Sequence, residues 1–159
     1  MNKRKIGFFL CAVSLLWTGS LFAQVPLPPD KDQLLKGEPG VQALVAEENG
    51  FPAPQKIISF KDHLGLTKDQ LRKINEIITN QGVSAGIKGQ DIIEAEEELN
   101  RLFAEGSINE KTLRAKLERL GKMRADLRFI HLQVYIREKQ ILTSKQWERL
   151  KELQASEVK

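Results

Sequence analysis

The amino-acid sequence predicts an all-α protein: a four-helix domain built on a long antiparallel helical hairpin, preceded by a Pro-rich arm. Three observations carry that expectation. All six prolines lie between Pro26 and Pro54, so none interrupts a helix beyond that point. Apolar residues then recur at three/four spacing and settle into a strict seven-residue repeat, Leu113, Leu120, Leu127, Val134 and Ile141, the pattern of a coiled-coil seam. Finally, Leu-Thr-x-x-Gln is spelt twice, as Leu66-Thr67…Gln70 and Leu142-Thr143…Gln146, each time just ahead of a helical pattern.

The chain opens on a targeting pattern. Lys3, Arg4 and Lys5 precede an apolar run from Ile6 to Trp17, and small and polar residues lead on to Ala23. This is the layout of a secretory signal peptide over residues 1–23. The run falls short of the roughly 20 apolar residues of a membrane span, and an uncleaved anchor is the alternative. Cys11 follows bulky Leu10, which does not suit lipid attachment. Cleavage removes the only cysteine, and with it any disulfide or thiolate metal site. It also removes three basic residues, leaving 22 against 21 acidic ones, a formal charge of +1 instead of +4. Nucleic acid thereby loses its main support as a partner. A soluble periplasmic domain is the expectation.

Residues 24–54 read as a flexible arm with one short helix around Val41–Glu47. A helix from about Gln55 to Leu64 should stop at Gly65, where glycine suits the left-handed residue past a helix end. The next helix starts at Thr67, carries Leu71, Ile74, Ile78, Ile92, Ala95, Leu99 and Leu102 at helical spacing, and ends at Gly106. Asn109 is a suitable N-cap for the third, whose heptad stripe Leu117 and Ile130 widen. The fourth begins at Thr143 and runs to about Leu153. The helical domain is bounded at residues 55–155, with 156–159 as a tail. A two-helix hairpin buries little alone, so the seam is expected to serve a homodimer as well as internal packing.

The repeated motif has a physical reading. Threonine at the N-cap with glutamine three residues on forms a capping box, in which hydroxyl and amide satisfy amides of the first turn reciprocally. The preceding leucine takes the place of a hydrophobic staple, opposite Leu71 in one copy and Trp147 in the other. Each copy therefore starts a helix at a sharp corner.

Two such corners flanking a long helical hairpin behind a signal peptide resemble the Spy/CpxP family of periplasmic helical proteins, over about Gln55 to Leu153. "LVAEENGFPAP" ahead of the domain also resembles a lead-in found in heavy-metal sensor and resistance relatives. The resemblance implies an ATP-independent chaperone-like or partner-binding role in envelope stress, acting on unfolded or envelope proteins or on a membrane sensor's periplasmic domain. It also implies an alternative, a heavy-metal-binding sensor or resistance protein using zinc, nickel or copper. Metal-binding relatives place histidines before the first motif and a His-x-x-x-(His/Met) pair before the second. Here His63 and His131 stand at corresponding places, but Ser59 and Tyr135 stand where partners would be. A carboxylate such as Glu96 or Glu138 could join them only if the fold brought the first corner close to the third helix. His131 also lies beside the apolar stripe, where a lone histidine is more often a core residue.

Charge is segregated. Asp91 to Glu105 holds six acids against Arg101, and Lys111 to Arg128 holds seven bases against two acids. An antiparallel hairpin lays these segments side by side, which explains them as mutual neutralisation. The family's chaperones suggest a second reading, a client-binding basic strip of Arg114, Arg119, Lys122, Arg124 and Arg128. Gly82, Gly86 and Gly89 share one helical face, so either another helix crosses there closely or the long helix bends or opens, the latter being favoured. No nucleophile–base set, phosphate loop or dinucleotide fingerprint is present, and catalysis is not expected. A structural envelope protein is the blander possibility.

Overall fold

With no proline beyond Pro54, two very long helices can form, and they dominate the computed structural model, which describes residues 28–157. Helix α4, Lys68–Ala104, and helix α5, Glu110–Ile141, run antiparallel through a turn at Gly106, which has φ 64°. At 1.5 Å per residue each extends about 50 Å. Asn109 caps α5 as expected, its side chain accepting from the Thr112 amide at 3.0 Å. Helix α6, Ser144–Glu157, folds back at the second motif. It extends two residues into the predicted tail. Three short helices precede the hairpin: α1, Lys31–Lys36; α2, Leu44–Glu48, entered through a 3-10 turn at Gly40–Ala43; and α3, Pro54–Ser59. The described residues are all helix and connection, with no strand among them. The predicted signal peptide lies outside the described residues.

The hairpin core lies between the two long helices. Leu120 and Leu127 of the heptad, with Met123, pack against Ile92, Ile93 and Ala95 of α4. These two seam positions are therefore used inside the chain. Leu117, expected to widen it, is instead half exposed, because it falls to one side of the buried arc. A second core, of Ile57, Leu64, Ile74, Leu142 and Leu150, gathers α3, α6 and the lower ends of the hairpin. Helix α3 ends at Ser59, short of the expected Leu64, and the chain continues in turns to Gly65. The turns lower Leu64 into that core, where it is 6% exposed.

The proline-rich segment differs most from expectation. Its described part builds α1 and α2 and lies against the hairpin. Pro28 and Pro29 precede α1, and Gly37, at φ 63°, closes it with amide bonds to the Gln33 and Leu34 carbonyls. Leu34 enters the hairpin core at 4% exposure. Between them, α1 and α4 leave no room for side chains. A Cβ on Gly89 would collide with the Leu34 carbonyl oxygen, and one on Gly37 would lie 2.8 Å from that of Gly82. Gly89 is thus explained by a close crossing, whereas a Cβ on Gly82 would meet open space and one on Gly86 only an ordinary contact with the Leu35 carbonyl; α4 passes through the region as one uninterrupted helix.

Gly89→Ala is expected to force α1 off the hairpin and lower stability by about 1–3 kcal/mol. Gly82→Ala, whose Cβ would meet nothing within 4 Å, should stabilise by up to about 1 kcal/mol through helix propensity. Thermal unfolding of both variants checks this, and equal effects would refute the close-crossing account.

Candidate functional site

The two Leu-Thr-x-x-Gln motifs meet. Each first forms its own capping box: the Gln70 amide donates to Thr67 Oγ1 at 3.1 Å and the Thr67 amide to Gln70 Oε1 at 3.0 Å. The second copy repeats this, with Gln146 N to Thr143 Oγ1 at 3.3 Å and Thr143 N to Gln146 Oε1 at 2.9 Å. The glutamine amides then bond each other reciprocally. Gln70 Nε2 donates to Gln146 Oε1 at 2.8 Å, and Gln146 Nε2 donates to Gln70 Oε1 at 3.1 Å.

Each amide also reaches the backbone just ahead of the other motif. Gln70 Nε2 donates to the Ile141 carbonyl at 2.9 Å, and Gln146 Nε2 to the Leu64 carbonyl at 3.3 Å. Glutamate could complete either capping box alone, but it has no N–H to give to a partner. The interlock therefore requires glutamine in both copies. Leu66, Leu142 and Trp147 belong to the apolar core directly beneath, while Leu71 is only half-buried. The lead-in segment is fastened to the same corner. Phe51 meets Trp147 edge-on at 5.7 Å, and Lys139 Nζ lies 5.2 Å and 5.1 Å from the two ring centres, a cation–π clasp.

Farther along α5 runs a row of buried polar side chains, His131, Tyr135 and Glu138. The Gln81 amide lies 2.7 Å from His131 Nδ1, within hydrogen-bonding distance. Nε2 is buried and has no hydrogen-bond partner. Burial holds the imidazole below its ordinary pKa. Tyr135 donates its hydroxyl to Glu47 Oε1 of α2 at 2.9 Å, and burial, then Glu47, pushes its pKa up. Glu138 is 1% exposed with both carboxylate oxygens unpartnered, and burial raises it to about 8. A cavity of about 70 Å³ lies between this row and the arm, lined by Glu47, Gln81, His131 and Tyr135 among others.

The other expected site residues are dispersed. His63 is exposed, its ring edge-on to Phe60 at 6.3 Å. His131 pairs with Gln81, fourteen residues and about 21 Å of helix beyond the Thr67 cap, so the two histidines are not brought together. Glu96 accepts from Arg124 instead of approaching a histidine. Among the described residues, no three His, Cys, Asp or Glu side chains are grouped so as to hold a metal.

Nor do the five basic residues make one strip. Arg114, Arg119, Lys122 and Arg128 are exposed, but with Arg124 they spread over about 220° of the helix at 100° per residue. Arg124 turns inward, bonding Asp30 at 2.7 Å and Glu96 at 3.0 Å. With the Lys116–Glu98 pair at 2.6 Å, this matches the charge complementarity expected along the hairpin. Sequence reasoning missed Gln81, Glu47 and the Lys139 clasp. A polar residue in phase with the apolar stripe, as Glu138 is, was the available signal for the buried row. The chain matches no family model, no curated protein and no solved structure.

Gln70→Ala and Gln146→Ala should each cost about 1–3 kcal/mol, because each leaves part-buried carbonyls and a partner amide unsatisfied. Gln70→Glu should be nearly as damaging. The double alanine variant should cost less than the sum of its parts. Urea unfolding measures all four; full additivity would show that the boxes act independently.

Glu138 sets a pH dependence. Its carboxyl, ordinarily at 4.5, titrates at about 8 when folded. The native state therefore binds the extra proton, and stability falls as pH rises from about 4.5 to about 8, then levels. The fall should be on the order of a few kcal/mol, and Glu138→Gln should flatten it and be the more stable protein at pH 8. Denaturant unfolding across pH 4–9 gives the answer.

Proposed function

We propose that this chain is a periplasmic, non-catalytic binding protein of the Spy/CpxP type, acting in envelope stress by holding unfolded or envelope proteins or a sensor partner. The interlocked pair of Leu-Thr-x-x-Gln corners carries the reading, since that doubled signature is what resembles the family. The surface chemistry supports it. Val83 and Ile87 on α4 and Phe129 and Ile136 on α5 are each more than half exposed, and Arg119, Lys122 and Arg128 of α5 are exposed as well. Apolar side chains hold a non-native client, and nearby cations speed its capture. Within this reading the protein works as a homodimer. No helix among the described residues is long and apolar enough to cross a membrane.

One observation favours a second reading, a heavy-metal sensor or resistance protein binding zinc, nickel or copper. The orphaned Nε2 of His131 adjoins a cavity that Glu47 also lines. These two are of ligand type, whereas structural zinc takes four ligands. His63 is elsewhere, so a metal here would rely on water or on Tyr135 releasing Glu47.

Light scattering from an unfolding test protein separates the readings. The mature protein should suppress aggregation with a chelator present, and Arg119→Glu with Lys122→Glu should weaken suppression several-fold. Suppression that requires zinc, nickel or copper and is lost in His131→Ala would support the metal reading. No suppression in either condition would remove the chaperone function.

A further inference from the structure

We propose that α1 is a built-in plug: it occupies the hairpin groove in which this protein takes a partner helix, and binding requires its displacement. This deepens the client-binding reading and rests on it. The groove is the face of α4 running from Gly82 to Glu97, flanked by Arg124 of α5. Every contact α1 makes there describes an occupant. Asp30, ahead of its first turn, accepts from Arg124 at 2.7 Å. Lys31 reaches Glu97 at 3.8 Å. Four residues after Asp30, Leu34 inserts into the apolar floor with Ala85, Ile92 and Ile93. Its backbone presses on Gly89 so closely that a Cβ there would meet the Leu34 carbonyl. The groove thus fits a short amphipathic helix that opens on an acidic residue and carries leucine four positions on.

The contact is built to release. Helix α1 has six residues, too few to persist alone, and Leu34 is its one buried side chain. No side chain caps its N-terminus, and one oxygen of Asp30 is buried without a hydrogen bond. Pro28 and Pro29 border it on one side, and Gly37 and Gly40 take left-handed backbone on the other. Leu120, Met123 and Leu127 also close on α4 directly, and the interlocked corner lies at the far end. Once α1 leaves, Ala85, Ile92 and Ile93 lose their cover over a groove edged by the Arg124 cation. That surface suits partners with the same acidic-then-leucine pattern.

A fluorescein-labelled synthetic peptide of residues 28–38, PPDKDQLLKGE, tests this in trans against the full mature chain. Fluorescence anisotropy should show at least tenfold tighter binding to Asp30→Ala/Leu34→Ala, in which the resident plug has lost both anchors, than to the wild type. Adding Arg124→Ala to that variant should abolish the gain. Equal binding to both proteins, or binding to neither, would overturn the plug. Native-state hydrogen exchange of the wild type needs no substitution: the Leu34 and Leu35 amides should exchange through local opening at least tenfold faster than those of Ile92 and Leu127. Equal protection would overturn the proposal. Suppression of client aggregation should also rise in the double variant. Peptide binding without that rise would leave the plug standing and remove the client-binding reading instead.

Discussion

The structure depends on two glutamine amides facing each other where three helix ends and the turn at Gly65 converge. Gln70 and Gln146 each satisfy a helix N-terminus of their own, each other, and a carbonyl at the entrance to the other's corner. One side chain thus serves three obligations that would otherwise leave part-buried polar groups unpaired. Neighbouring hydrogen bonds of this kind polarise one another, so the assembly forms or fails together. It also sets geometry. Because each amide reads the backbone just ahead of the other motif, α4 and α6 must start at one place, and that fixes where α5 returns along α4. The two cores follow from this register.

The N-terminal segment is joined to this frame at three separate points with different chemistry. At the corner, Lys139 lies between the Phe51 and Trp147 rings. Midway, Tyr135 donates to Glu47. Toward the hairpin turn, Leu34 and Asp30 engage the core and Arg124. The first attachment buries aromatic surface next to the apolar core, while the last has a single buried side chain and half-exposed ion pairs, each worth at most about 1 kcal/mol.

Between those ends sits the least comfortable part of the molecule. His131 and Glu138 bury polar atoms that nothing satisfies. A well-packed apolar pair would be more stable, since an unsatisfied buried polar group costs about 1–3 kcal/mol. His131 lines the cavity between the hairpin and the arm, so its cost is borne where arm and hairpin meet. Sites where local rules fail are where function is sought, and this row is the one such place in the described residues outside the α1 groove.

The sequence by itself determined the helices and their corners. The absence of proline, the three/four spacing and the heptad from Leu113 to Ile141 specify local periodicity, and the caps at Thr67, Asn109 and Thr143 are satisfied within one turn, so neighbours in the chain suffice to read them. The charge complementarity of the hairpin was legible for the same reason, once the Gly106 turn made the helices antiparallel. What only the tertiary structure decided are contacts between residues far apart in sequence. The pairing of Gln70 with Gln146, the docking of α1 on Gly89, the inward turn of Arg124, and the separation of His63 from His131 have no local signature. The glycines at 82, 86 and 89 show the limit most clearly: their spacing announced a special surface, but a bend and a close crossing require the same residues. Only the position of the Leu34 carbonyl, where a side chain on Gly89 would begin, distinguishes the two.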